Sequence, residues 1–96
     1  MNHPATDRSN TRIEQMNTLL AALQPAKIEI INDSHKHAGH VGARGGGEHY
    51  RLLIVSTQFA SKPTLARHRM VYSALGDMMK HDIHALAIAA YTPEEI

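Results

Sequence analysis

The stretch His84-Ala85-Leu86-Ala87-Ile88-Ala89-Ala90-Tyr91, closed by Thr92-Pro93, decides the fold. Leu86 and Ile88 alternate with small residues, which reads as a strand. Its four alanines could equally be helical by propensity. Upstream, Lys27 to Asp33 alternates around Ile28 and Ile30 and predicts a first strand. His49 to Ser56 is rich in large and β-branched apolar residues and predicts a second, more buried one. Between the second and third strands, Pro63 suits a first helical turn, and a helix is predicted from there to Lys80. Val71, Leu75, Met78 and Met79 form its apolar stripe, and Phe59 is placed in a short turn beneath it. At the other end, Ile13, Met16, Leu20 and Leu23 have helical spacing over Thr11 to Leu23. Thr11 and Glu14 suit a capping box there, and Pro25 ends the helix.

The predicted order is therefore α-β-β-α-β. Strands one and two pair antiparallel across the intervening loop, whereas strands two and three flank a helix and are expected to be parallel. Both helices then cover one face of a three-stranded mixed sheet, an α+β two-layer sandwich. With 96 residues the chain makes one domain, read as residues 11–96 after a flexible tail at 1–10.

Composition narrows the chemistry. The chain has no cysteine, which fits a reducing compartment and a cytoplasmic location, and removes the commonest soft metal ligand. The first ten residues lack the apolar core of a signal peptide, and no apolar run approaches the ~20 residues of a membrane span. A formal charge of +1 gives the whole chain no general pull toward nucleic acid. Eight histidines stand out, with His35, His37 and His40 close together in the loop from Ser34 to Gly47. Histidine is the commonest metal ligand and the proton switch nearest neutrality. The loop leads into the start of the second strand, and a parallel third strand starts at that same sheet edge. His84 is thus predicted to meet the loop histidines in space.

Several stretches resemble the BolA family. They are Ile30-Ile31-Asn32-Asp33-Ser34-His35-Lys36-His37-Ala38, His49-Tyr50-Arg51 leading into Ile54-Val55-Ser56, and Phe59. Arg67-His68-Arg69-Met70-Val71-Tyr72, Ile83-His84-Ala85-Leu86 and Ala90-Tyr91-Thr92-Pro93 complete the set. The resemblance runs from about Ile13 to the C-terminus, and the order and spacing of the pieces carry it. It implies a fold like the type II KH domain. It also implies a partner, a monothiol glutaredoxin, with which a bridged [2Fe–2S] cluster is shared for cluster trafficking or iron-dependent regulation. On the partner side the ligands are a cysteine and the thiol of glutathione. Carried over by position, the C-terminal histidine ligand falls on His84 and the loop ligand on His37. The added Gly39-His40 and Gly45-Gly46-Gly47 make His40 an alternative loop ligand and His35 a weaker one.

Chemistry agrees with that assignment. A cysteine-free chain offers only imidazoles, and two histidines on one iron is the Rieske arrangement. Imidazole binds metal only when unprotonated, so cluster retention should weaken in mild acid. Two histidines leave a cluster half-coordinated, hence a thiolate-bearing partner.

Each site residue also has a plainer reading. His84, in phase with Leu86 and Ile88, would be a half-buried strand histidine, and the loop histidines solvated. His49 would be either an exposed strand-end residue or an orienting neighbour of a ligand. His68 is placed on the apolar side of its helix as a packed histidine; His3 and His81 are placed on the surface. The glycine run lacks the lysine and following helix of a phosphate loop. The alternative function is KH-like nucleic-acid binding in transcriptional regulation, through Arg67, Arg69 and Lys80. Against it, Phe59 to Thr64 has no glycine where a KH domain carries its GXXG clamp. Ser34 beside His35 and His37 lacks an orienting third group, so the chain is not expected to be an enzyme.

Overall fold

The computed structural model describes residues 4–33 and 48–96. Its elements run α1 (Pro4–Leu20), a 3-10 turn (Ala21–Leu23), β1 (Lys27–Asn32), β2 (Glu48–Val55), a second 3-10 turn (Thr57–Phe59), α2 (Thr64–Leu75), α3 (Met78–His81), β3 (Ile83–Tyr91) and a last 3-10 turn (Pro93–Glu95). The sheet has the order β1-β2-β3, with β1 antiparallel and β3 parallel to β2. This is the expected mixed sheet. The Ala-rich stretch is a strand because a long parallel ladder with β2 overrides alanine's helical preference.

Register sorts the side chains into two faces. Ile28, Ile30, Tyr50, Leu52, Ile54, Leu86, Ile88 and Ala90 belong to the core, packed with Met16 and Leu20 of α1 and Val71 and Leu75 of α2. Phe59 is fully enclosed, as its predicted place beneath the helix requires. Burying a side chain of this size contributes about 1.5–3 kcal/mol. The other face carries Glu29, Ile31, Arg51, Leu53, Ala85, Ala87 and Ala89, and a groove of about 500 Å³ runs over it.

Two boundaries differ from the sequence reading. The first helix starts at Pro4, so Thr11 lies inside it and is not a cap, and residues Pro4 to Asn10, read as tail, continue it. Proline at a first helical position has no intrahelical N–H to lose, which suits that start. The second predicted helix is two pieces. Gly76 adopts φ +57°, a conformation that ends α2 with its N–H donated to the Tyr72 carbonyl, and α3 begins two residues later.

Two polar contacts hold the apolar layers in place. Ser56, fully buried after β2, donates to the Leu23 carbonyl at 2.6 Å and accepts from the Gln58 N–H at 3.1 Å. It thereby ties the end of the first helical unit to the sheet. At the C-terminus, Thr92 and Glu95 form a reciprocal capping box. The Glu95 carboxylate also receives both terminal nitrogens of Arg67, at 2.6 and 3.0 Å. Arg67 donates further to the Lys62 and Ala90 carbonyls and lies over the Phe59 ring. This Arg67 contact, followed by the Thr92 N–H, holds the Glu95 carboxyl down to about 2 from its ordinary 4.5.

Both contacts make predictions. Ser56→Ala leaves a buried carbonyl without its donor and should lower stability by about 1–3 kcal/mol, read from the urea midpoint; an unchanged midpoint contradicts the tie. For Glu95 the folded value lies below the ordinary one. Its stabilisation is therefore complete above about 4.5 and disappears as pH falls toward about 2. Thermal melts from pH 5 to 2 should be less steeply pH-dependent in Glu95→Gln than in wild type. Parallel curves would dismiss the clasp.

Candidate metal-ligand site

The pairing of β2 with β3 contains one irregularity. Glu48 stands opposite Ile83, but the next residue, His49, stands opposite Ala85. His84 is the extra residue of a β-bulge. Strict alternation from Leu86, Ile88 and Ala90 puts position 84 on the core face, as a half-buried residue. The bulge gives that core position to Ile83, which is buried, and leaves His84 exposed. The plainer reading of His84, a half-buried strand histidine in phase with Leu86 and Ile88, is therefore corrected.

Turned outward, His84 meets His49. Their ring centres are 5.0 Å apart with planes inclined by 27°, a stacked pair. His49 is half-buried on the same open face, at the head of β2. The two residues thus come from neighbouring parallel strands at one end of the sheet. Of the other predicted site residues, His37 and His40 lie outside the described residues, as do His35 and Ser34. The flanks of that segment are described: the Asp33 N–H donates to the His49 carbonyl at 2.8 Å, and β2 starts at Glu48. Both ends of the interval 34–47 therefore lie at the sheet end that carries His84.

A polar cluster on the core side braces this end. Glu48 accepts from Asn32 Nδ2 at 2.6 Å and from the Tyr50 hydroxyl at 3.3 Å. Its backbone N–H donates to the Asp82 carbonyl at 3.2 Å. Arg12 of α1 reaches both Glu48 and Asp82, at 3.9 and 3.7 Å. Burial, followed by the Glu48 carboxylate, pushes the Tyr50 phenol above its ordinary value. The cluster links the end of β1, the start of β2, the approach to β3 and the first helix. Nothing in the sequence marks it, because its members are scattered and each is an ordinary polar residue in isolation.

Of the histidines expected to hold a cluster, only His84 lies among the described residues, with His49 stacked beside it. Two imidazoles would make half of the four ligands, and among the described residues no group of three or more histidine, cysteine, aspartate or glutamate side chains is placed to hold a metal. With no cysteine in the chain, the remaining sulfur ligands would have to come from elsewhere.

The residues named for nucleic-acid contact are dispersed in role. Arg67 has a side chain only 12% exposed and is committed to Glu95 and two carbonyls, so its guanidinium is a tie within the fold. Arg69 is exposed, and Lys80 lies 3.9 Å from Asp77 in a solvated pair. His68 is half-buried on α2 and His81 exposed on α3, as expected. No helix among the described residues is long and apolar enough to cross a membrane.

Comparison with known proteins accords with this architecture. The family model described as BolA-like protein matches residues 19–95. SufE-like protein 1, chloroplastic/mitochondrial, of Arabidopsis thaliana is 42% identical over 79 residues, 77% of this chain but 21% of that protein. The chain thus spans about a fifth of that relative's length. The DNA-binding transcriptional regulator BolA of Escherichia coli (strain K12) is 37% identical over 84 residues, covering 88% of this chain and 75% of the relative. Among solved structures, the BolA domain of SufE1 from Arabidopsis thaliana superposes with a TM-score of 0.77 at 38% identity, over 88% of this chain and 95% of that domain. Of these names, that of the Escherichia coli relative states a role, DNA-binding transcriptional regulator. From the α-β-β-α-β frame, the family match and the shared sequence, the chain belongs to the BolA-like family.

Proposed function

We propose that this protein is the partner of a monothiol glutaredoxin and shares a bridged [2Fe–2S] cluster with it, in cluster trafficking or iron-dependent regulation. His84 supplies one imidazole and a loop histidine, His37 or His40, the other. The partner supplies a cysteine thiolate and the thiol of bound glutathione. When bound, the cluster supplies a one-electron centre and a transferable iron–sulfur unit. The role of this chain is to hold two neutral nitrogen ligands at the open end of its sheet.

The outward displacement of His84 by the β3 bulge carries this reading. A histidine enclosed by the helices would be closed to a second protein. An exposed one beside the ends of the 34–47 interval is open to both a partner and the loop. His37 follows Asp33 by four residues, a reach of up to about 14 Å for extended chain. His49, stacked on His84, restricts where that ring can turn.

A glutaredoxin loaded with its cluster should change its visible absorption and circular dichroism when mixed with this protein. His84→Ala should abolish the change while keeping the far-ultraviolet spectrum of a folded chain, because the side chain is exposed. An unaltered response in the variant would refute the assignment of His84.

Nucleic-acid binding is the second reading, favoured by the name of the Escherichia coli relative. With Arg67 internally paired, it rests on Arg69 and Lys80. It predicts binding that weakens steeply with salt and is reduced by Arg69→Ala. A protein that shows no DNA binding sensitive to salt and to Arg69→Ala would eliminate this reading.

A further inference from the structure

We propose that the free edge of β3 is a self-association surface, on which a second copy of this chain pairs antiparallel about a two-fold axis at Ala87. Such a dimer goes beyond the function proposed above and needs neither iron nor a thiolate.

β3 is an outer strand of the sheet, so only one of its sides is hydrogen-bonded to β2. Two contacts at its end show which backbone groups remain. The Tyr91 carbonyl accepts from the Ser56 N–H at 2.9 Å, which turns the backbone of Tyr91 toward β2. In a parallel ladder alternate residues point the same way, so Ala87 and Ala89 also face β2, while Leu86, Ile88 and Ala90 face outward. Arg67 marks the same direction, since its Nη1 reaches the Ala90 carbonyl at 3.0 Å. Among the described residues, the outward N–H and C=O groups of Leu86 and Ile88 meet no partner.

A free edge is a template for a further strand, and proteins blunt it with charge, proline or a bulge. The other edge strand, β1, carries Lys27 and Glu29. Over its nine residues β3 has no aspartate, glutamate, lysine, arginine or proline. Its unpaired run is bounded instead, by the bulge at His84 and by Arg67 on Ala90.

The strand that fits this run is the run itself. With Ala87 on the two-fold axis, Leu86 of each copy stands opposite Ile88 of the other, and the two exchange both N–H to C=O bonds. On the open face Ala87 then meets Ala87 of the second copy and Ala85 meets Ala89, side chains too small to clash and without charge to repel. On the helical face Leu86 and Ile88 are only half-buried in the single chain, whereas Leu52 and Ile54 on β2 are 2% and 0% exposed. Pairing sets Leu86 beside Ile88 of the other copy and covers the apolar surface left at the edge. The run is short, so the dimer forms at high protein concentration and dissociates on dilution.

Sedimentation velocity of the full chain alone, from micromolar to millimolar concentration, should show the mean mass rise from one chain toward two. The Leu86 and Ile88 amides should exchange with deuterium about twofold more slowly once half the chains are paired, while those of Ile28 and Ile30 on β1 keep their rate. Ala87→Lys sets two ammonium groups face to face on the axis and should hold the chain single throughout. Because Ala87 is exposed, the single chain keeps its fold. Ala87→Glu should behave alike, and an equal mixture of the two variants should regain the dimer. Ile31→Lys, on the open face of β1, should associate as wild type does, which separates edge pairing from stacking of the open faces. A wild-type chain that stays single at millimolar concentration overturns the proposal. So does a dimer indifferent to Ala87→Lys, a variant mixture that fails to pair, or association that leaves the Leu86 and Ile88 amides exchanging as before. With no glutaredoxin or iron present, the outcome is independent of the cluster experiment.

Discussion

One inserted residue in the β2–β3 ladder decides where His84 stands. Parallel pairing alone would carry position 84 into the core layer with Leu86 and Ile88, where an imidazole would need a buried hydrogen-bond partner and could meet no second protein. The bulge separates two demands on the start of β3. Ile83 fills the apolar space beneath the helices, and His84 turns to the face that the helices leave open. Both side chains are placed by the same irregularity, since a bulge re-aims the residue it inserts.

The bulge depends on the braced sheet end behind it. Glu48 receives Asn32 and Tyr50, its backbone N–H reaches Asp82, and Arg12 spans Glu48 and Asp82. The individual ion pairs are long and partly exposed, so each contributes little to stability. Their arrangement matters more than their strength. Four separate segments are gathered at one end of the sheet, and their backbone polar groups are paired where the regular ladders stop. The face opposite this cluster carries a groove lined by Glu29 and Arg51 together with small and apolar side chains, and His49 stands on that same face.

The layer architecture was legible in the sequence because it rests on period. Apolar residues at helical spacing over Ile13 to Leu23, and alternation around Ile28 and Ile30, each have one structural solution. The helix between the last two strands made a parallel pair the natural arrangement. What escaped was local. Gly76 splits the second helix through a backbone angle that a lone glycine in a helical pattern does not announce. The start of α1 escaped because the apolar spacing begins only at Ile13, while the helix begins at Pro4. The bulge escaped for a stronger reason. A period-two pattern contains no mark for the place where it slips by one, and Ile83 is as good a core residue as the position 84 alternation would require. His84 and His49 were each noticed, one as ligand and one as neighbour; their contact follows only from the slipped register.

The basic residues show the same division between pattern and context. Arg67 and Arg69, with Lys80 further on, suggest a small basic face for phosphate. The fold uses the first of them differently. Arg67 is almost enclosed, its planar group spans the Glu95 carboxylate in a two-bond fork, and its remaining donors close the Lys62 and Ala90 carbonyls. Guanidinium suits this place where lysine would not, since it offers several donors in a fixed plane and still lies over the Phe59 ring. The signal for this arrangement was present in Thr92-Pro93-Glu94-Glu95, whose first and last residues have the spacing of a capping box. A carboxylate already fixed by such a box is a ready counter-ion. With Arg67 drawn inward to meet it, the surface of α2 loses the first charge of its basic run, and Arg69 is left exposed without it.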